Sequence, residues 1–293
     1  MQAGTGAALD AIERATGVSE INLIGYCLGG TLTGATLAYL KARGDERVIS
    51  GTFFTSLLDF SEPGDIGVFV DEQQVSSLES KMNEQGFLDG AEMSSAFNMI
   101  RANDLIWSFV INNYLMGRKP AAFDLLFWNA DSTRMPAKMH STYLRKMYIE
   151  NRFREPGGIE VNGVPIDLSS IDLPLCFVSA LEDHIAPWKS TYAGAQLPCG
   201  DVQFILSKAG HIAGIVNPPG DKAYDHFIGG RPRDSDATEW LDAAQPKSGS
   251  WWATWADWVA PFRGEQVAAR HPGDGGLSVI EAAPGSYATK RIS

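Results

Sequence analysis

The chain has 293 residues, enough to bury the core of one large domain or two small ones. A net charge of −11 argues against a nucleic-acid partner, because neutralising phosphates needs a concentrated basic surface. No apolar run reads as long enough to span a bilayer, and the opening residues do not read as a charged-then-apolar signal peptide. The three cysteines, at 27, 176 and 199, lack metal-type spacing, so a reduced, cytoplasmic setting with at least one free thiol is expected.

Residues 4–16 read as an amphipathic helix with Ala8, Leu9 and Ile12 on one side. Ile21, Leu23 and Ile24 then mark a buried strand over 21–25, and Gly25-Tyr26-Cys27-Leu28-Gly29 makes a tight bend into a helix over 28–43. This is the strand–turn–helix setting of a nucleophile elbow, with a thiol in place of the usual hydroxyl. The position at a helix N-terminus favours thiolate, which points to acyl transfer through a thioester. The helix carries Leu32, Thr36, Tyr39 and Leu40 on or near one face and ends at Lys41, Arg43 and Gly44. A second strand over 48–54 follows closely, implying a parallel pair joined by the helix.

The alternation breaks between about 61 and 136, where helical stretches are punctuated by Pro63, Pro120 and Pro136. Leu105, Ile106, Phe109, Val110 and Tyr114 fit one helical face, and 123–129 is strongly apolar and aromatic. The simplest reading is a helical cap inserted over the site; the plainer one is extra core helices away from it. A helix over 137–151, a turn or hairpin over 157–164, a buried strand over 174–180, a helix over 187–195 and a strand over 202–206 follow. The loop Gly210-His211-Ile212-Ala213-Gly214 comes next, and the end from about 263 is rich in Gly, Pro and Ala and is expected to pack poorly.

A thiol nucleophile needs a base, and the base a third group to orient it. The doubly wound hydrolase order of nucleophile, acid, histidine is met by Cys27, Asp183 and His211, the last two just after strands. Asp59, after the preceding strand, is a rival acid. His140, His184, His226 and His271 lack a comparable glycine-rich loop, and His184 either orients the acid and lines the pocket or is structural. The Leu28 N–H is the expected oxyanion donor. The usual second donor lies upstream, where only 26 residues precede Cys27, so that loop is expected to be absent and the 21–25 strand to lack partners on one side. Cys176 reads as core packing and Cys199 as loop. Trp251, Trp252, Trp255 and Trp258 have helical spacing and either pack on the body or present a surface to polymer. The fold class expected is α/β: an α/β-hydrolase fold with a mostly parallel sheet, helices on both faces, a cap insertion at about 61–136 and its first strands missing, as one catalytic domain over 1–293.

These residues resemble the catalytic region of polyhydroxyalkanoate synthases, class I above all. The resemblance is carried by Gly25-Tyr26-Cys27-Leu28-Gly29-Gly30-Thr31, Phe69-Val70-Asp71-Glu72, Asn103-Asp104-Leu105-Ile106-Trp107 and Phe123-Asp124-Leu125-Leu126-Phe127-Trp128-Asn129. It continues through Glu182-Asp183-His184-Ile185-Ala186-Pro187-Trp188, Gly210-His211-Ile212-Ala213-Gly214-Ile215-Val216-Asn217-Pro218-Pro219 and Ser250-Trp251-Trp252. It implies an acyltransferase that joins (R)-3-hydroxyacyl units, chiefly 3-hydroxybutyryl, from coenzyme A thioesters into a polyester. It also implies no cofactor or metal beyond that substrate, a homodimer, and a place at cytoplasmic polymer granules. Phe127 and Trp128 are then either dimer contacts or core. Family members carry an N-terminal domain and the first hydrolase strands, for which this chain shows no counterpart. The competing readings are a thiol hydrolase (a thioesterase or an intracellular polyester depolymerase) and an inactive remnant.

Overall fold

The computed structural model describes residues 2–100, 106–120, 133–230 and 235–290. The 123–129 segment, with Phe127 and Trp128, and residues 103–105 lie outside them. In chain order the main elements are α1 (Ala7–Thr16), β1 (Ile21–Tyr26), α2 (Leu28–Arg43), β2 (Val48–Phe54), α3 (Glu72–Gln85), α4 (Gly90–Ile100), α5 (Ala137–Tyr143), β3 (Leu175–Ala180), α6 (Trp188–Ala195), β4 (Val202–Ser207), β5 (His226–Gly230), α7 (Ala237–Ala243), β6 (Gln245–Lys247) and α8 (Trp251–Val259). They fall into two compact units: 1–64 with 151–279, and 65–150 with 280–293.

The first unit is a six-stranded sheet in the order β1-β2-β3-β4-β5-β6. β1 to β4 are mutually parallel, and β5 and β6 run antiparallel at the far edge. The fold class read from the sequence is met, with an antiparallel edge that the sequence reading lacked. β3 is buried at all six residues, as a central parallel strand covered on both faces must be. Phe53 of β2 stacks on Phe177 of β3 with ring centroids 4.4 Å apart. Phe204 of β4, in register with Phe177, forms an aromatic cluster with Tyr192 and Trp240.

Several sequence expectations need correction. β1 is only partly buried, with Ile24 46% exposed, because among the described residues it pairs with β2 alone and so ends the sheet. α2 is buried along nearly its whole circumference from Gly30 to Leu40, yet Leu32, read on or near one face with Thr36, Tyr39 and Leu40, is 51% exposed while those three are buried. In α1 only Leu9 of the expected apolar side is buried, and Ile12 is open. Ile106, Phe109 and Tyr114, read on one helical face, are exposed. The expected hairpin is a short ribbon of Glu160–Val161 with Val164–Pro165, turned by Asn162 and Gly163 at positive φ.

The second unit is mainly helical. Asp71 caps α3 by accepting from the Gln74 N–H at 2.7 Å, and Gly86 ends it in the left-handed region. α5 continues as a wider-wound turn over Leu144–Ile149 and packs on α3. Arg145 grips Glu79 through Nε and Nη2, both at 2.7 Å, and reaches Glu72 at 2.6 Å. Arg145 and Ser141 together hold the Glu79 carboxyl down to about 2. A two-residue ribbon, Phe87–Leu88 against Met135–Pro136, closes the base of these helices.

Candidate active site

The elbow is built by steric necessity. Cys27 is the N-cap of α2 with φ 54° and ψ −123°, a conformation that L-residues rarely adopt. Its backbone N–H donates to the Phe54 carbonyl at 2.9 Å, tying the bend to the end of β2. A Cβ on Gly25 would lie 2.4 Å from Thr33 Oγ1 and 2.6 Å from the Gly30 Cα, so strand and helix approach as closely as only glycine permits. A Cβ on Gly30 would fall 1.8 Å from Ser56 Oγ. Gly29, expected to share that role, has open space at the same position. The close-approach glycines are therefore 25 and 30.

The acid and the histidine meet as their order predicts. Asp183 Oδ2 lies 2.7 Å from His211 Nδ1, with the Asp183 side chain 0% and the His211 side chain 9% exposed. The other oxygen, Oδ1, accepts from the N–H groups of Ile185 at 2.8 Å and Ala186 at 2.9 Å, which fixes the carboxylate plane. The two loops are joined by Glu182 N–H donating to Ala209 O at 2.9 Å. Ala209, like Cys27 and Thr55, has positive φ, so strained backbone gathers at the carboxyl ends of β1, β2 and β4.

Burial opposes charge on His211, but hydrogen bonding and charge attraction from Asp183 and Cys27 outweigh it and push its pKa up to about 9. At neutral pH the imidazole therefore carries a proton, with Asp183 at its Nδ1 and Cys27 beside it. The Leu28 N–H sits in the first turn of α2, where amide groups lack intrahelical acceptors.

The rival candidates are engaged elsewhere. Asp59 is buried, accepting from Asn151 Nδ2 at 2.8 Å and from the Ser61 N–H at 2.9 Å while pairing with Arg154 Nη1 at 2.8 Å. His226 bridges Gly249 O and Thr254 Oγ1, both at 2.9 Å. His140 is buried in the second unit, where desolvation lowers its pKa. His184 is half-buried beside Asp183, and its carbonyl lies against Gly64. Cys176 is fully buried, which pushes its thiol well above the usual range, and Cys199 is exposed. Among the described residues no cluster of His, Cys, Asp and Glu is placed to hold a metal ion.

Two supports escaped the sequence reading. Trp251 Nε1 donates to Gly214 O at 2.8 Å and Trp252 Nε1 to Ile215 O at 3.0 Å, so the tryptophan helix braces the loop that carries His211. Trp255 Nε1 donates to Thr52 Oγ1 at 3.0 Å. Trp251, with Trp255 and Trp258 packed against its cluster, lies on the body, while Trp252 is 39% exposed. Beside them Ile24, Phe54, Val216 and Trp252 line an apolar groove of about 580 Å³. The second is Tyr26, just before Cys27, which contacts His211.

A sequence family described as alpha/beta hydrolase fold matches residues 3–218. Across 98% of its length the chain is 49% identical to 47% of a Rhizobium meliloti (strain 1021) protein named poly(3-hydroxyalkanoate) polymerase subunit PhaC. It is 46% identical, over 97% of its length, to 44% of a Rhizobium etli protein of the same name. It is 46% identical, over 98% of its length, to 47% of a Methylorubrum extorquens poly(3-hydroxyalkanoate) polymerase. The chain thus spans about half the length of these curated relatives. With the sheet, the elbow and the match agreeing, the chain belongs to the alpha/beta hydrolase fold family, and its relatives within it carry the poly(3-hydroxyalkanoate) polymerase name.

Proposed function

We propose that this chain carries the acyltransferase chemistry of polyhydroxyalkanoate synthesis, joining (R)-3-hydroxyacyl units, chiefly 3-hydroxybutyryl, from coenzyme A thioesters into a polyester. The observation that carries the reading is the buried Asp183–His211 pair, with Cys27 beside it at a strained elbow. The likeness to named polymerases supplies the substrate class.

In this reading the Cys27 thiolate, paired with the His211 imidazolium, attacks the thioester carbonyl. The Leu28 N–H takes part of the charge on the tetrahedral oxygen. The C–S bond to coenzyme A breaks, and His211 gives its proton to the departing thiolate, leaving a Cys27 acyl thioester and neutral imidazole. The 3-hydroxyl of another unit then gives its proton to His211 as its oxygen attacks the acyl carbon. The new ester forms, the Cys27–acyl bond breaks, and the thiolate–imidazolium pair is restored. Asp183 holds the imidazole orientation and stabilises its charge throughout. The chemistry draws on no cofactor beyond the coenzyme A ester. The reading includes a homodimer working at the surface of cytoplasmic polymer granules. No described helix is long and apolar enough to cross a membrane.

Incubation with 3-hydroxybutyryl-coenzyme A tests it. Release of free thiol together with insoluble polymer is expected; thiol release with only soluble 3-hydroxybutyrate would make the protein a hydrolase.

A further inference from the structure

The proposed mechanism leaves unused the side chain that touches His211 from the residue next to the nucleophile. Tyr26 ends β1, and its ring lies over the His211 imidazole with centroids 5.4 Å apart and planes inclined by 24°. Its hydroxyl donates to the His211 backbone carbonyl at 2.9 Å. One residue thus fixes both the main chain and the ring plane of the histidine. Nδ1 of that ring is taken by Asp183, so Nε2 is the end left for Cys27.

We propose that Tyr26 is a positioning residue for His211: its ring and hydroxyl together hold the imidazole in the place and plane from which it exchanges a proton with Cys27. The inference rests on the triad reading above. Tyr26 is 38% exposed, so core filling does not explain these contacts. The groups around the imidazole are Asp183 from the loop after β3, Cys27 from the elbow and Tyr26 from β1. An imidazolium under an aromatic face gains cation–π attraction, which neutral imidazole does not. Burial, with the negative charges of Cys27 and Asp183, pushes the phenol up to about 12, so it keeps the proton it donates throughout the working range.

The test is an NMR titration of His211 in the full chain, with the rate of Cys27 alkylation by iodoacetamide followed by mass spectrometry. Tyr26→Phe keeps the ring but loses the tether, and its His211 midpoint is expected to fall by less than in the non-aromatic variants. Tyr26→Leu removes the ring and the tether; its His211 midpoint is expected to fall by about 0.5 pH unit, with alkylation at neutral pH slowed several-fold. Tyr26→Met, closer in length to tyrosine, is the second non-aromatic variant and carries the same expectation if the leucine variant folds poorly. Asp183→Asn separates the two claims, because it should lower the midpoint further than either. If Asp183→Asn leaves His211 unmoved, the triad reading fails. If Asp183→Asn moves it while both non-aromatic variants titrate and alkylate as the parent does, the role of Tyr26 is overturned.

Discussion

At Cys27 the chain accepts an unfavourable backbone conformation, and the neighbouring glycines show what makes it tolerable. A methyl group on Gly30 would overlap Ser56, whose Oγ is itself committed to the Phe54 carbonyl at 2.8 Å. Gly30→Ala is therefore expected to cost about 1–3 kcal/mol, the usual penalty for forcing volume into a packed site. Gly29→Ala meets no atom and removes glycine from the first turn of a helix, so its melting temperature should match or exceed the parent's. Melting curves for the pair check the assignment; equal destabilisation would refute it. The sequence spelled out the elbow but not which glycine bears the contact, because that depends on Ser56 from another strand's loop. At His211 the raised pKa carries its own consequence. Unfolded histidine titrates near 6.5 and the folded group near 9, so its pairing stabilises fully below pH 6.5 and is lost as pH rises through 9. The loss amounts to at most about 3 kcal/mol, on the scale of 1.36 kcal/mol per unit. Denaturant midpoints of the parent should fall between pH 6.5 and 9, and those of His211→Gln should not share that part of the fall. Parallel curves would contradict the pairing.

Among the elements, α8 links packing to the site. Trp251 is buried, tilted against Phe54 with centroids 5.2 Å apart, and bonded to the loop after His211. Trp251→Ala is expected to cost about 3–5 kcal/mol, as for a large aromatic removed from a core. Trp252 is 39% exposed, and its truncation should cost distinctly less. Chemical denaturation of both variants checks the order; equal losses would contradict it. Helical spacing made this helix legible, whereas the carbonyls it meets, 37 residues away in sequence, were not. α2 shows the reverse difficulty. Its ends are plain from Cys27 and Gly44, but a helix buried almost all round has no apolar stripe to read, so Leu32 reads with Thr36, Tyr39 and Leu40 although it alone of the four is exposed. β5 contains two glycines, and β6 is three exposed residues that include Pro246, so neither carries the alternation that reveals a strand.

For the molecule as a whole, the order Cys27, Asp183, His211 was the strongest message in the sequence, because parallel strands deliver their carboxyl ends to one edge whatever the spacing between them. Asp59 shows where that logic stops: its position after β2 suits an acid equally well, and only Asn151 and Arg154, more than 90 residues on, commit it elsewhere. The central claim is that Cys27 becomes a thioester that passes its acyl group to a hydroxyl. Cys27→Ser should lose nearly all polymerisation, since a hydroxyl is a far poorer nucleophile than a thiolate at neutral pH. The most direct test is mass spectrometry of the parent protein quenched in acid after brief exposure to 3-hydroxybutyryl-coenzyme A. The account predicts hydroxybutyryl units on the peptide that contains Cys27, lengthening in whole units with time and absent from Cys27→Ser. Polymer made without any adduct on Cys27, or by Cys27→Ser at the parent's rate, would contradict it.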